Sequence, residues 1–126
     1  MVHGGDRFAK SVIIDDRALD TFRELSDLAP LHNPPNITGI EAAREVMPDV
    51  PHCAIMDTAW HQTMPSSAFL YALPYSWYEN YRVRRYGFHG TSHRFVSQQA
   101  LARLGLHDRP SALVTAHLGN GCSCAA

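Results

Sequence analysis

Arg84-Arg85-Tyr86-Gly87-Phe88-His89-Gly90-Thr91-Ser92-His93-Arg94-Phe95-Val96 is the stretch from which the rest of the chain is read. Gly87 and Gly90 bracket His89, so the backbone there can take a positive φ or approach a ligand closely, where a Cβ would interfere. Thr91 and Ser92 offer caps for a helix whose apolar positions follow at Phe95, Val96, Ala100, Leu101 and Leu104. Gly105 stands where a C′ glycine ends such a helix. The pattern aims an imidazole and the free N–H groups of a helix N-terminus at one place, which is how proteins receive anions. An ordinary turn carrying a solvated histidine accounts for the same residues equally well.

On either side, short apolar runs alternate with helical patterns. Upstream, Ser11-Val12-Ile13-Ile14 reads as a strand, and Asp15 or Asp16 caps a helix with Leu19, Phe22, Leu25 and Leu28 on its inner face. Leu31 to Asn36 reads as a loop stiffened by Pro34 and Pro35, and Thr38-Gly39-Ile40-Glu41 as a capping box opening a short helix to Met47. Cys53-Ala54-Ile55-Met56 is too short for a helix and reads as a buried strand that delivers Asp57 at its carboxyl end, where open α/β sheets place their ligands. A lone aspartate there also serves simply to cap the next turn.

From Pro65 to Tyr81 the chain is rich in aromatics (Phe69, Tyr71, Tyr75, Trp77, Tyr78, Tyr81), a composition of cores and subunit interfaces. Downstream, Ala112 to Ala116 reads as a buried strand ending in His117-Leu118-Gly119-Asn120-Gly121. Gly-x-Gly after a strand fits a turn whose N–H groups cradle a phosphate, and fits a hairpin turn as well. Cys122 to Ala126 alternates like a strand cut short. Strands alternating with helices, with polar groups gathered at strand ends, indicate α/β.

The 126 residues are 45% hydrophobic and 18% charged, a globular composition of one ordinary domain's length. A net charge of -1 argues against a nucleic-acid or anionic-membrane partner. Three cysteines, Cys53, Cys122 and Cys124, with no signal peptide suggest reduced thiols and a cytoplasmic location, and no run is long enough to span a bilayer. His89 and His93, at i,i+4, would share a helix face, yet no H-E-x-x-H accompanies them and a metal site is a poor reading.

Five blocks, in order, resemble the acetate/propionate kinase family, in the superfamily of sugar kinases, Hsp70 and actin. They are Val2-His3-Gly4-Gly5, Ala29 to Pro34, Met56-Asp57-Thr58-Ala59-Trp60-His61-Gln62-Thr63-Met64-Pro65, Arg84 to His93, and His117 to Gly121. The resemblance covers essentially the whole chain. It implies ribonuclease H-like (actin-like ATPase) α/β domains, partial, with residues 1–59 closing an N-terminal domain and residues 60–126 beginning a C-terminal one. It also implies transfer of the γ-phosphoryl group of ATP to acetate or propionate, reversibly, giving an acyl phosphate and ADP with Mg²⁺, in a homodimer.

Carried over by that resemblance, Asp57 matches the catalytic aspartate, His89 the histidine that stabilises the transition state, and His32 a further active-site histidine. His117, Leu118, Gly119, Asn120 and Gly121 match the loop that binds the nucleotide phosphates, and Val2, Leu31 and Phe88 match the pocket for the acid's alkyl group. The chain departs in small ways: Trp60 stands where the family usually has Phe, and Cys122 and Cys124 where Ala and an aliphatic residue are usual. The family's remaining parts would precede Met1 (a Ser-rich phosphate loop with a metal-linked asparagine, and a substrate arginine) or follow Ala126 (a second arginine, the adenosine pocket and a metal-binding glutamate). The chain is therefore expected to be an internal fragment or a truncated copy, inactive alone. The alternative is a non-catalytic remnant that binds a partner or dimerises through its aromatic stretch.

Overall fold

The computed structural model describes residues 1–126. β1 (Val12–Ile13) pairs antiparallel with β2 (Cys53–Ala54), and between them run α1 (Asp16–Glu24), a 3₁₀ turn at Ser26–Leu28, and α2 (Asn33–Val46). A second 3₁₀ turn at Ala59–Thr63 follows β2, then two short helices, α3 (Ser66–Phe69) and α4 (Tyr75–Tyr81). The longest helix, α5 (Gly90–Leu104), leads to a hairpin of β3 (Thr115–Leu118) and β4 (Cys122–Ala125).

α1 forms as its sequence dictates. Asp15 is the N-cap, its carboxylate accepting from the N–H of Ala18, and Ala18, Leu19 and Phe22 face inward. They pack with Ile14, Ile37, Ala54, Met56 and Ala59 into one core, with Phe8 against Phe22 at 5.1 Å between ring centroids. Phe22, Leu25 and Met56 are almost wholly buried, each worth about 1.5–3 kcal/mol of transfer free energy. This core fixes the end of β2, and so the place of Asp57.

Several elements differ from the sequence-based expectation. Pro34 and Pro35 open a helix rather than hold a loop: they sit in the first turn of α2, where a missing N–H costs nothing and the fixed φ suits the helix. Thr38 is consequently not a cap. It lies inside α2, its hydroxyl donating to the carbonyl of Pro34, and a single helix runs from Asn33 to Val46. The Cys53–Met56 run is buried only on alternate residues, with Ala54 and Met56 inside and Cys53 and Ile55 outside, and only its first two residues pair. β3 starts at Thr115, so His117 and Leu118 belong to the strand itself.

α5 begins one residue before Thr91, with His89 as its N-cap, and ends at Gly105 in the left-handed conformation as expected. Phe95, Val96 and Leu104 on α5 are exposed. Arg84 is buried, its guanidinium 3.8 Å from the centroid of the Phe69 ring, and the neighbouring Arg85 N–H donates to the Phe69 carbonyl at 2.7 Å. Together these contacts fix the approach to Gly87 from the aromatic stretch.

Candidate active site

The N-terminal segment lies beside the end of β2. The Asp57 N–H donates to the carbonyl of Met1 at 3.1 Å, and the Gly4 N–H donates to Thr58 Oγ1 at 3.0 Å. The first turn of α2 closes on the same segment. Asn33 Oδ1 accepts from the His3 N–H, Asn33 Nδ2 donates to the His3 carbonyl, both at 3.0 Å, and Asn36 Oδ1 accepts from the Val2 N–H. His3 is buried, its Nδ1 accepting from the Gly5 N–H at 2.9 Å, so its hydrogen is on Nε2. Burial, and after it the charge of Arg82, pushes the His3 imidazole down from 6.5 to about 4. Its ring meets Tyr86 at 4.5 Å and Phe88 at 5.6 Å, edge to face.

Asp57 receives the start of α5. Its Oδ2 accepts from the His89 N–H at 2.6 Å, and its backbone carbonyl accepts from the Gly90 N–H at 2.8 Å. Of these two N–H groups, that of His89 holds the Asp57 carboxylate and that of Gly90 the neutral backbone carbonyl of the same residue. Asp57 thus caps a helix distant in sequence, three residues beyond the last paired residue of β2. His89 has φ +54°, a left-handed conformation costing a residue with a Cβ about 1–2 kcal/mol. The charge-assisted bond to Asp57 is worth about 1.5–3 kcal/mol and offsets that strain.

Two glycines are required here by space. A Cβ on Gly90 would lie 2.4 Å from the Asp57 carbonyl oxygen, and one on Gly87 would lie 2.2 Å from Cγ of His61. The His61 ring covers Gly87 and its Nε2–H donates to the Phe88 carbonyl at 2.9 Å, clamping the loop that presents His89.

The His89 ring stacks on His117, 4.1 Å between centroids at 15°, and its Nε2 faces the turn, 3.4 Å from where a Cβ of Gly121 would be. Gly119 to Gly121 form a hairpin turn in which the Gly119 N–H donates to the Gly121 carbonyl. His117 Nδ1 pairs with Ser92 Oγ at 2.9 Å. On its far side the ring of His89 meets Ser123: Oγ lies 2.8 Å from His89 Nδ1 and 2.8 Å from His93 Nε2. His93 Nδ1 in turn lies 2.8 Å from Thr115 Oγ1. His93 is buried, and burial, followed by the neighbouring His61, His117 and His89, lowers its pKa, while Asp57 opposes the shift.

Of the residues carried over from the resemblance, Asp57, His89, His117 and the turn Gly119, Asn120 and Gly121 come together, with Leu118 exposed on β3. Val2 lies on the segment next to Asp57, half-buried. Phe88 borders a cleft of about 750 Å³ that Trp60, His61, Met64, Arg85 and Ser123 also line, and neither Val2 nor Leu31 lines that cleft. Leu31 and His32 are exposed where α2 begins, His32 as its N-cap. Sequence reasoning gave no site role to His3, Asn33, Thr58, His61, Ser92, Thr115 or Ser123. Ser123 was within reach: a hairpin over Gly119 to Gly121 pairs His117 with Ser123 across the strands.

Compared with known proteins, the chain matches the sequence profile of the acetokinase family along residues 1–126. It is 60% identical over 123 residues to the acetate kinase of Geobacter metallireducens, covering 98% of this chain and 29% of that protein. To the acetate kinase of Bacillus cereus it is 57% identical over 126 residues, covering all of this chain and 32% of that one. A crystal structure of a propionate kinase from Francisella tularensis superposes with TM-score 0.92 at 46% identity, over 98% of this chain and 32% of that one. Porphyromonas gingivalis acetate kinase superposes with TM-score 0.91, also at 46% identity, over 98% and 31%. The chain thus spans about a third of the length of these relatives, and carries a partial domain of their actin-like ATPase fold.

Proposed function

The chain belongs to the acetokinase family, and on that premise we propose that it is the segment of a carboxylate kinase that presents His89, Asp57 and a phosphate-binding turn to ATP and a short carboxylic acid. The product is an acyl phosphate, and the reaction runs both ways. The observation that carries this reading is the convergence of Asp57, His89, His117 and Gly119 to Gly121 from three separate stretches of sequence.

Phosphoryl transfer asks a protein mainly to position the reactants and to stabilise charge on the equatorial oxygens. ATP supplies the phosphoryl group. The absence of a side chain at Gly121 leaves His89 Nε2 uncovered on the side of the turn, and this is the side from which a phosphate is proposed to approach. Because the Gly119 N–H is spent inside the turn, the N–H groups of Asn120 and Gly121 and the rings of His89 and His117 would meet its oxygens. Acetate is already ionised at pH 7 and needs no general base. Asp57 therefore acts by holding the strained His89 in place, not by taking a proton. No cluster of three metal-ligating side chains forms within the chain. The residues present do not by themselves fit Mg²⁺, and no step is derived through it.

Acetate and propionate differ by one methylene, worth about 1–3 kcal/mol in an apolar pocket. Of Val2, Leu31 and Phe88 only Phe88 lines the cleft, with Trp60 and Met64 among its apolar neighbours, and on that lining both acids are proposed as substrates. The exposed Tyr75, Trp77 and Tyr81 of α4 support a homodimer formed through the aromatic stretch. No helix is long and apolar enough to cross a membrane, and the reaction's substrates suit a cytoplasmic enzyme.

The test is a chimera in which these residues replace the matching stretch of the Bacillus cereus acetate kinase. Acyl phosphate, trapped as the hydroxamate from acetate, ATP and Mg²⁺, is expected from the chimera and not from the chain alone. A folded chimera that makes none would refute the reading. Activity in the chain alone would refute the proposal that it needs the rest of the family's length.

A further inference from the structure

We propose that Ser123 is a positioning residue that fixes the hydrogen of His89 on Nδ1, so that its phosphate-facing Nε2 donates only as the imidazolium. A hydroxyl has one hydrogen, and Ser123 Oγ lies 2.8 Å from two imidazole nitrogens. It can donate to one ring and must accept from the other. Which way round is set one step further along. With the Thr115 hydroxyl directed at the Ala125 carbonyl, 3.4 Å away, Thr115 Oγ1 accepts from His93 Nδ1–H, 2.8 Å away.

A neutral His93 then has a bare Nε2, which accepts from the Ser123 hydroxyl. Ser123 in turn accepts from His89 Nδ1–H. Burial of His93 among other imidazoles favours its neutral form and so maintains this direction. With Nδ1–H committed, Nε2 of His89 is bare when the ring is neutral and gains a hydrogen only together with a positive charge.

The groups facing His89 are Asp57 in the turn after β2, His117 stacked on it from β3, Ser123 from β4, and His93 behind Ser123 on α5. His61 faces His93 at 5.7 Å. The inference rests on the reading of His89 as the phosphate-facing imidazole only for its consequence in catalysis. The tautomer itself is a property of the chain.

Ring ¹⁵N spectra of ¹⁵N-histidine-labelled protein, taken on the chain and on the chimera above pH 7, report which nitrogen carries hydrogen. His89 is expected as the Nδ1–H form. Ser123→Ala should shift it towards Nε2–H, and Ser123→Thr, which keeps the hydroxyl, should restore it. In the chimera, Ser123→Ala should lower kcat about tenfold, the scale of one hydrogen bond, with little change in KM for ATP. It should also move the pH profile of kcat, which a merely structural role would not. An Nε2–H tautomer for His89 in the unsubstituted protein, or an Nδ1–H form unaffected by Ser123→Ala, overturns the proposal. A chimera that forms no acyl phosphate yet shows the Nδ1–H form would refute the kinase reading and leave this inference standing.

Discussion

Replacing Gly90 by Ala tests whether the contact between α5 and the end of β2 holds the site together. The added methyl would lie 2.4 Å from the Asp57 carbonyl oxygen and 3.1 Å from Trp60 Cβ. The backbone oxygen cannot swing aside like the end of a flexible side chain, so α5 must back away. That breaks the Gly90 N–H bond to Asp57 and stretches the His89 N–H bond to its carboxylate. The first is worth about 1 kcal/mol and the second about 1.5–3 kcal/mol, and overpacking adds about 1–3 kcal/mol. Up to about 1 kcal/mol returns through alanine's better helix propensity. We expect a net loss of about 3 kcal/mol. At a urea slope of about 1.5 kcal/mol per M, the midpoint falls by about 2 M, followed through tryptophan fluorescence, to which Trp60 at the altered contact and Trp77 both contribute. Gly39→Ala is the control: it lies in α2 with nothing within 4 Å of the new methyl, and is expected to stabilise by about 0.5–1 kcal/mol. If both variants move the midpoint alike, or Gly90→Ala stays within about 0.5 kcal/mol of the parent, the contact is not what holds His89.

Three further outcomes follow from the same network. Asn33→Ala leaves the buried N–H and carbonyl of His3 without partners and should cost about 2–4 kcal/mol in the same urea experiment, whereas a neutral result would mean the pairing is dispensable. The folded pKa of His3 is about 4 against 6.5 unfolded, so the native state resists protonation. Its stabilisation is complete above pH 6.5 and is lost as pH falls towards 4, by up to about 3 kcal/mol, with His93 adding in the same direction. His3→Asn, which keeps an acceptor for Gly5 N–H, should flatten that slope in pH-dependent unfolding. Asp57→Asn retains an oxygen for His89 N–H but loses the charge, so in the chimera turnover should fall by about a hundredfold with little change in KM. Normal turnover would remove Asp57 from the site.

What the sequence made legible were the features decided locally. Asp15 and the spacing of Leu19 and Phe22 specify α1 wherever the chain sits, and Gly105 ends α5 by its own conformational freedom. Pro34 and Pro35 were misleading because proline is ambiguous: it breaks a helix inside but suits the first turn, and only the docking of Asn33 against His3 decides which applies. The strand through Cys53 to Met56 was half legible. Its apolar run concealed an alternation that becomes visible only when one face is covered by the core. His93 stands four residues after His89, yet its partners, Thr115 and Ser123, lie 22 and 30 residues away, and no local period announces such contacts.

The site's geometry also explains why its parts are so widely separated in sequence. His89 cannot hold a left-handed backbone conformation by its own propensity. Asp57 supplies the compensating bonds from one side, and the ring's protonation is set from the other by Ser123 and, behind it, His93 and Thr115. Neither half fixes the His89 imidazole without the other: a helix start without Asp57 relaxes, and a ring without Ser123 is free to exchange tautomers. Loosening either contact should therefore weaken catalysis in separable ways. Gly90→Ala displaces the ring and Asp57→Asn weakens the charged bond that holds it, whereas Ser123→Ala leaves it in place and changes where its hydrogen lies.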